Sequence, residues 1–122
     1  LANLSEADRA LLLVLAKKDG LAATRARTVL AMSGDARVVA LLESQLKSAS
    51  ALDRAAATQA LVALGRWKKA SKVLADESAF VRATAACAIL EWRPSKFADA
   101  KMATRSMGQT TPSKPASQGN GR

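Results

Sequence analysis

The sequence has no histidine and no tyrosine, and among its 122 residues only one cysteine, three prolines and 3% aromatics. Each shortage removes something. Without histidine the commonest general base is gone, and with it the Ser–His and Cys–His nucleophile pairs and most zinc sites. A single cysteine, Cys87, permits no intrachain disulfide and no cysteine-rich metal centre. Scarce aromatics are poor material for a β-sandwich. No apolar run comes near the roughly 20 residues that span a bilayer; the longest obvious one is Leu11 to Ala16. No signal peptide is visible, and the chain starts at Leu1 rather than Met, as a processed product or an excised piece would. A lone thiol among small apolar residues suits a reducing compartment, so a cytoplasmic location is the expectation.

What is present points to helices. Hydrophobic residues make up 49% of the chain, enough for one real core, and they are mostly Ala and Leu, both strong helix formers. A first helix is expected over Glu6 to Lys18, with Ser5 as N-cap, Asp8 completing a capping-box-like pair, and Gly20 as its stop. A second spans about Ala22 to Met32 and closes at Gly34. Asp35 then caps a third, about Ala36 to Lys47, whose Val38, Val39, Leu41, Leu42 and Leu46 recur at helical spacing. Ser50 and Asp53 start a fourth, Leu52 to Leu64, stopped by Gly65. A fifth covers about Arg66 to Ala75. Ser78 caps a sixth, Ala79 to Trp92, and Pro94 ends the pattern. A short terminal helix is expected within 93–107, over Phe97 to Met107, and a disordered tail of Gln, Thr, Pro, Ser, Gly and Asn over 108–122.

Short turns make consecutive helices antiparallel neighbours. Shifted by 28 residues, the chain meets itself: Val39 falls on Trp67, Leu42 on Ala70, Leu46 on Leu74, Arg54 on Arg82, Ala57 on Ala85, Ala60 on Ala88, Leu61 on Ile89 and Leu64 on Trp92. One helical hairpin cannot bury its own apolar face, so like faces stack into a continuous core. The first pair fits least well, at an offset of 29 from Arg25 or 31 from Gly34.

The stretch Gly34-Asp35-Ala36-Arg37-Val38-Val39-Ala40-Leu41-Leu42 resembles the first helix of a HEAT repeat, and Asp76 to Leu90 resembles the turn and second helix of one, especially the bacterial HEAT-like form. The resemblance covers about residues 5–92. It implies an all-α fold, a short right-handed α-solenoid of about three antiparallel helix pairs over 1–92. In that family an Asp in the turn often precedes an Arg in the second helix by six residues. Asp76 and Arg82 fit, as do Asp19 and Arg25, while Ser48 stands before Arg54. The implied role of Asp19, Arg25, Asp76 and Arg82 is a structural ladder between neighbouring turns.

The net charge is +9, and residues 93–122 carry six basic side chains against Asp99 alone. Arg66, Lys68, Lys69 and Lys72 cluster around Trp67. Arg25, Arg27, Arg54 and Arg82 lie on the second helices, which line the concave side of HEAT-like solenoids. Together these nine residues are candidates for interaction, and a basic groove of this kind can track a phosphate backbone. Solvated faces are the preferred reading of these charges, and Trp67 and Trp92 are equally well explained as core or capping residues. Asp76-Glu77, the only adjacent acidic pair, sits before a helix start, where negative charge complements the dipole. Cys87, among alanines and without a histidine, reads as a buried, inert thiol. No glycine-rich phosphate loop is present. The expectation is a non-catalytic chain with no cofactor and no metal, whose partner is another protein; the alternative is nucleic acid, bound through the basic fifth helix, the second-helix arginines and the basic C-terminal arm.

Overall fold

The computed structural model describes residues 3–92. The expected terminal helix and tail, 93–107 and 108–122, lie outside them. Among the described residues the chain is all helical. The helices are α1 (Glu6–Ala16), α2 (Leu21–Met32), α3 (Val39–Gln45), α4 (Ala51–Ala63), α5 (Trp67–Ser71) and α6 (79–92). A 3-10 turn, Ala36–Val38, leads into α3, and another, Lys72–Ala75, follows α5.

The helix starts follow the sequence signals. Ser5 accepts the Asp8 N–H at 3.1 Å, Asp35 the Arg37 N–H at 3.1 Å, Ser50 the Asp53 N–H at 3.3 Å and Ser78 the Val81 N–H at 3.4 Å. The capping box of α1 is one-sided. Asp is a methylene shorter than Glu, and its carboxylate takes the Ser5 hydroxyl at 2.8 Å.

Two glycines close helices in the left-handed conformation. Gly34 (φ 82°) donates to the Ala31 carbonyl and Asp35 to that of Leu30; Gly65 (φ 76°) donates to Val62 and Arg66 to Leu61. Both are Schellman motifs, and they satisfy carbonyls the helix leaves open. Gly20 differs from the expectation. At φ 100° and ψ 178° it is the N-cap of α2, not the stop of α1, which ends at Ala16 with an ordinary right-handed residue, Lys17. The fifth helix is also shorter than its sequence pattern, because its last turn tightens to 3-10 geometry at Lys72.

α1 packs on α2, α2 on α4, α3 on α4 and α4 on α5. Val81 and Ala85 of α6 share a core cluster with Ala55 of α4 and Val73. α4 is therefore the central element. Its Ala55, Ala57, Thr58, Ala60, Leu61 and Val62 are buried, together with Leu30, Val38 and Leu42 from the elements around it. Alanine at so many buried positions lets backbones approach closely. The buried polar groups are satisfied: Thr58 donates to the Arg54 carbonyl, Gln45 to that of Asp53, and Asp35 and Arg54 sit in ion pairs.

Candidate interaction surfaces

Three of the four second-helix arginines face the turns and bind main chain. Arg27 donates to the carbonyls of Ala16 and Lys18, each at 2.7 Å. Arg54 donates to Ser48 (2.8 Å) and Ala49 (3.2 Å), and Arg82 to Asp76 (2.7 Å) and Glu77 (3.2 Å). Each guanidinium thus answers the open carbonyls where the preceding helix ends, where a cation also meets the favourable end of the dipole. Arg54 and Arg82, 28 residues apart, reach carbonyls at the same two offsets.

The ladder pairs differ from the expected ones. The Asp76 carboxylate is held by Arg54, in a two-pronged contact of 2.8 and 3.0 Å, while Arg82 takes the Asp76 carbonyl instead. The contact therefore joins α4 to the turn before α6, between residues 22 apart, through the arginine whose own turn lacks the Asp. Asp19 and Arg25 are both exposed and do not bond each other; Arg27 occupies the structural role in the first pair. Two residues are about 200° apart around a helix, so only one of them can face the turn. Arg27 also donates to Gln45 Oε1 at 2.9 Å, so the polar recess between the first two turns, which Asp19 and Asp53 border, is already bridged.

A second network had no forecast in the sequence. Arg9 of α1 donates to the Asp35 carboxylate (3.4 Å), to the Ser33 hydroxyl and to the Ser33 carbonyl; Arg37 holds Asp35 at 2.7 Å and Glu6 at 2.8 Å. One signal was available. Arg9 lies with Leu12, Leu13 and Ala16 at i, i+3, i+4 and i+7, the inward stripe of α1. A charge on such a stripe requires a buried partner.

These contacts set an acid response. Hydrogen bonds from Arg37 hold Asp35 far below the usual carboxylate range, those from Arg54 lower Asp76, and that from Lys69 lowers Glu43. A folded-state pKa below the unfolded one means the unfolded chain binds more protons. The stabilisation is full above the unfolded value of about 4 and is lost as pH falls toward the folded values. No histidine titrates above that window. Thermal midpoints followed by circular dichroism are expected to be flat from about pH 8 to 5 and to drop below about 4. A decline already between pH 8 and 5 would count against this assignment.

The basic cluster is partly spent. Lys69 pairs with Glu43, and Lys68 lies 6.0 Å from the centre of the half-buried Trp67 ring. Arg66 and Lys72 are exposed on either side.

The exposed apolar residues form a pattern. Leu21, Leu52 and Phe80 are 65, 70 and 54% exposed, each in the first turn of α2, α4 or α6. Following each helix at i+4, i+7 and i+11 gives Leu21-Arg25-Thr28-Met32, Leu52-Ala56-Gln59-Ala63 and Phe80-Thr84-Cys87. On α6 the i+11 position is Glu91, so the charged members of the three stripes are Arg25 and Glu91; all of these residues are exposed or half-exposed. Cys87 is therefore on the surface, contrary to the reading of it as buried: the outer face of α6 is uncovered among the described residues. An open apolar groove between α1 and α2, lined by Leu12, Leu15, Leu21, Ala22, Ala26 and Val29, also carries Arg25 at its edge. No helix among the described residues is long and apolar enough to cross a membrane. Compared with protein-family models, curated proteins and solved structures, the chain matches none.

Proposed function

We propose that this chain is a non-catalytic protein-binding module, a piece of a HEAT-like solenoid that scaffolds a larger assembly. The observation that carries the reading is the sparsely charged, partly apolar stripe repeated on α2, α4 and α6, with one large hydrophobic side chain in the first turn of each. Exposed apolar residues that recur at the same position of successive helices are candidates for an interaction surface. The solenoid part of the reading is supported by like positions 28 residues apart: Ser50 and Ser78 as caps, Arg54 and Arg82 on carbonyls, Ala57 and Ala85 buried.

The nucleic-acid alternative draws less support. Of the eight basic candidates, Arg27, Arg54 and Arg82 are bound to main chain and Lys69 to a carboxylate. Arg25, Arg66, Lys68 and Lys72 remain, and Arg25 stands apart from the other three in sequence and on a different helix.

The test is affinity capture from the native host with three baits: the wild-type chain, a Leu21→Ser/Leu52→Ser/Phe80→Ser variant and an Arg66→Glu/Lys68→Glu/Lys72→Glu variant. A protein retained by wild type and by the charge variant, and lost from the apolar variant, is the expected result. Each anchor should contribute roughly 1–2 kcal/mol, about tenfold in affinity. Binding lost only in the charge variant, with steep salt dependence and duplex DNA as a competitor, would reverse the order of the two readings.

A further inference from the structure

A different face, on α1, fits a second copy of this chain. α1 turns Ala16 inward, with Arg9, Leu12 and Leu13 partly covered beside it. Its opposite face exposes Ala7, Leu11 and Val14, followed by Lys18 just past the helix end, at spacings of four, three and four. Leu11 and Val14 are 71 and 60% exposed, on the side where a lone surface helix ordinarily carries charge. Spacings of this kind form the seam between two packed helices.

The charges decide the orientation and the occupant. Glu6 and Asp8 lie in the first turn of α1, and Lys17 and Lys18 follow its last. The stripe is symmetric about a point between Leu12 and Leu13. A twofold axis there would place Leu11 opposite Val14 of the second copy, and the acidic end of each helix beside the basic end of the other. The two helix dipoles would then oppose, which is favourable; a parallel pair would stack like charges at both ends. The groups are open to it. Glu6 is engaged by Arg37, but Asp8 accepts only from Ser5, and Lys17 and Lys18 make no ion pair among the described residues. Leu15 lies between this stripe and the α1–α2 groove, so the apolar area continues into Leu12, Leu21 and Val29.

We propose that the chain forms a twofold dimer through antiparallel α1 helices, with Leu11 and Val14 at its centre and Asp8 of each copy against Lys18 of the other. The two surfaces approach each other at Leu21, which lines the α1–α2 groove, but the dimer contact centres on Leu11 and Val14, and either proposal can fail without the other.

The experiment is light scattering on size-separated full-length chain, and sedimentation equilibrium from low to high micromolar concentration, at low and high salt. The expected result is a dimer mass, weakened by salt. Leu11→Glu, at an exposed position that leaves the helical signal intact, should give monomer. Asp8→Lys and Lys18→Glu should each weaken association about tenfold by placing like charges together. Mixing those two variants should restore it, because both contacts become opposite-charge pairs only in the mixed dimer. A monomer at every concentration overturns the proposal. So does a dimer indifferent to Leu11→Glu, and so does a mixture no tighter than its components.

Discussion

Replacing Leu61 with alanine is expected to cost about 3–4 kcal/mol, at the upper part of the range for buried leucines. Leu61 is fully buried on α4, the helix that touches α2, α3 and α5 and shares a cluster with α6. The cavity would be walled by several elements that cannot all close in together. Its neighbours on the helix are Ala57, Ala60 and Val62, short side chains with no reach into the space. A domain of this size holds about 5–10 kcal/mol in all, so the variant should be near the limit of folding. Urea unfolding is the measurement, with the denaturant dependence unchanged and the midpoint moved. Leu52→Ala, on the same helix but mostly exposed, should shift stability by less than about 0.5 kcal/mol. Leu30→Ala, the counterpart at an offset of 31, should behave like Leu61→Ala; Ile89→Ala, at 28, should cost less because Ile89 is only half-buried. A loss under about 1 kcal/mol at Leu61 would mean that α4 is not the centre of the core.

Helix positions were legible because their causes are local. A serine or aspartate whose side chain can accept a nearby N–H announces a start, as at Ser5, Asp35, Ser50 and Ser78. A glycine that enters the left-handed region without strain announces an end, as at Gly34 and Gly65. Gly20 shows the limit of that rule: a glycine between two helices can belong to either, and only the backbone angle distinguishes them. Residues 28 apart could be matched from the sequence, since that needs only their types.

Side-chain direction was not legible. Arg25 and Arg27 differ by two positions, and the family pattern selects the first, whereas the turn is reached by the second. Asp76 was matched to the arginine six residues on, yet its carboxylate meets the one 22 residues back. Such partners depend on how the helices pack on one another, which no local rule contains. Cys87 failed for the related reason that burial depends on what covers a helix as well as on its neighbours in sequence. The candidate surface emerged the same way. Leu21, Leu52 and Phe80 read individually as ordinary apolar residues, and their common place at three helix starts appears only when α2, α4 and α6 are laid side by side.

Asp35→Ala is expected to cost roughly 3 kcal/mol, the toll of stripping one partner from a buried ion pair. The Asp35 side chain is 5% exposed and accepts from Arg37 N–H, Nε and Nη2 and from Arg9 Nη1. It ties α1 to the end of α2 and to the 3-10 turn that leads into α3. Without it Arg9, 18% exposed, keeps its charge in a poorly hydrated place, though bonds to Leu4 and Ser33 soften the loss. Arg37 is half-exposed and can turn to water or remain with Glu6. Asn at this position should recover part of the loss, since its side-chain oxygen can still accept the Arg37 N–H but brings no charge. The decisive measurement is a double-mutant cycle with Arg9→Met. If the pair is coupled, Asp35→Ala on the Arg9→Met background should cost at least about 1 kcal/mol less than on the wild type. The acid limb of the stability profile should flatten in the same variant, because the carboxylate held furthest below its ordinary pKa is gone. Strict additivity would show that the Arg9–Asp35 contact adds nothing of its own to holding α1 in place.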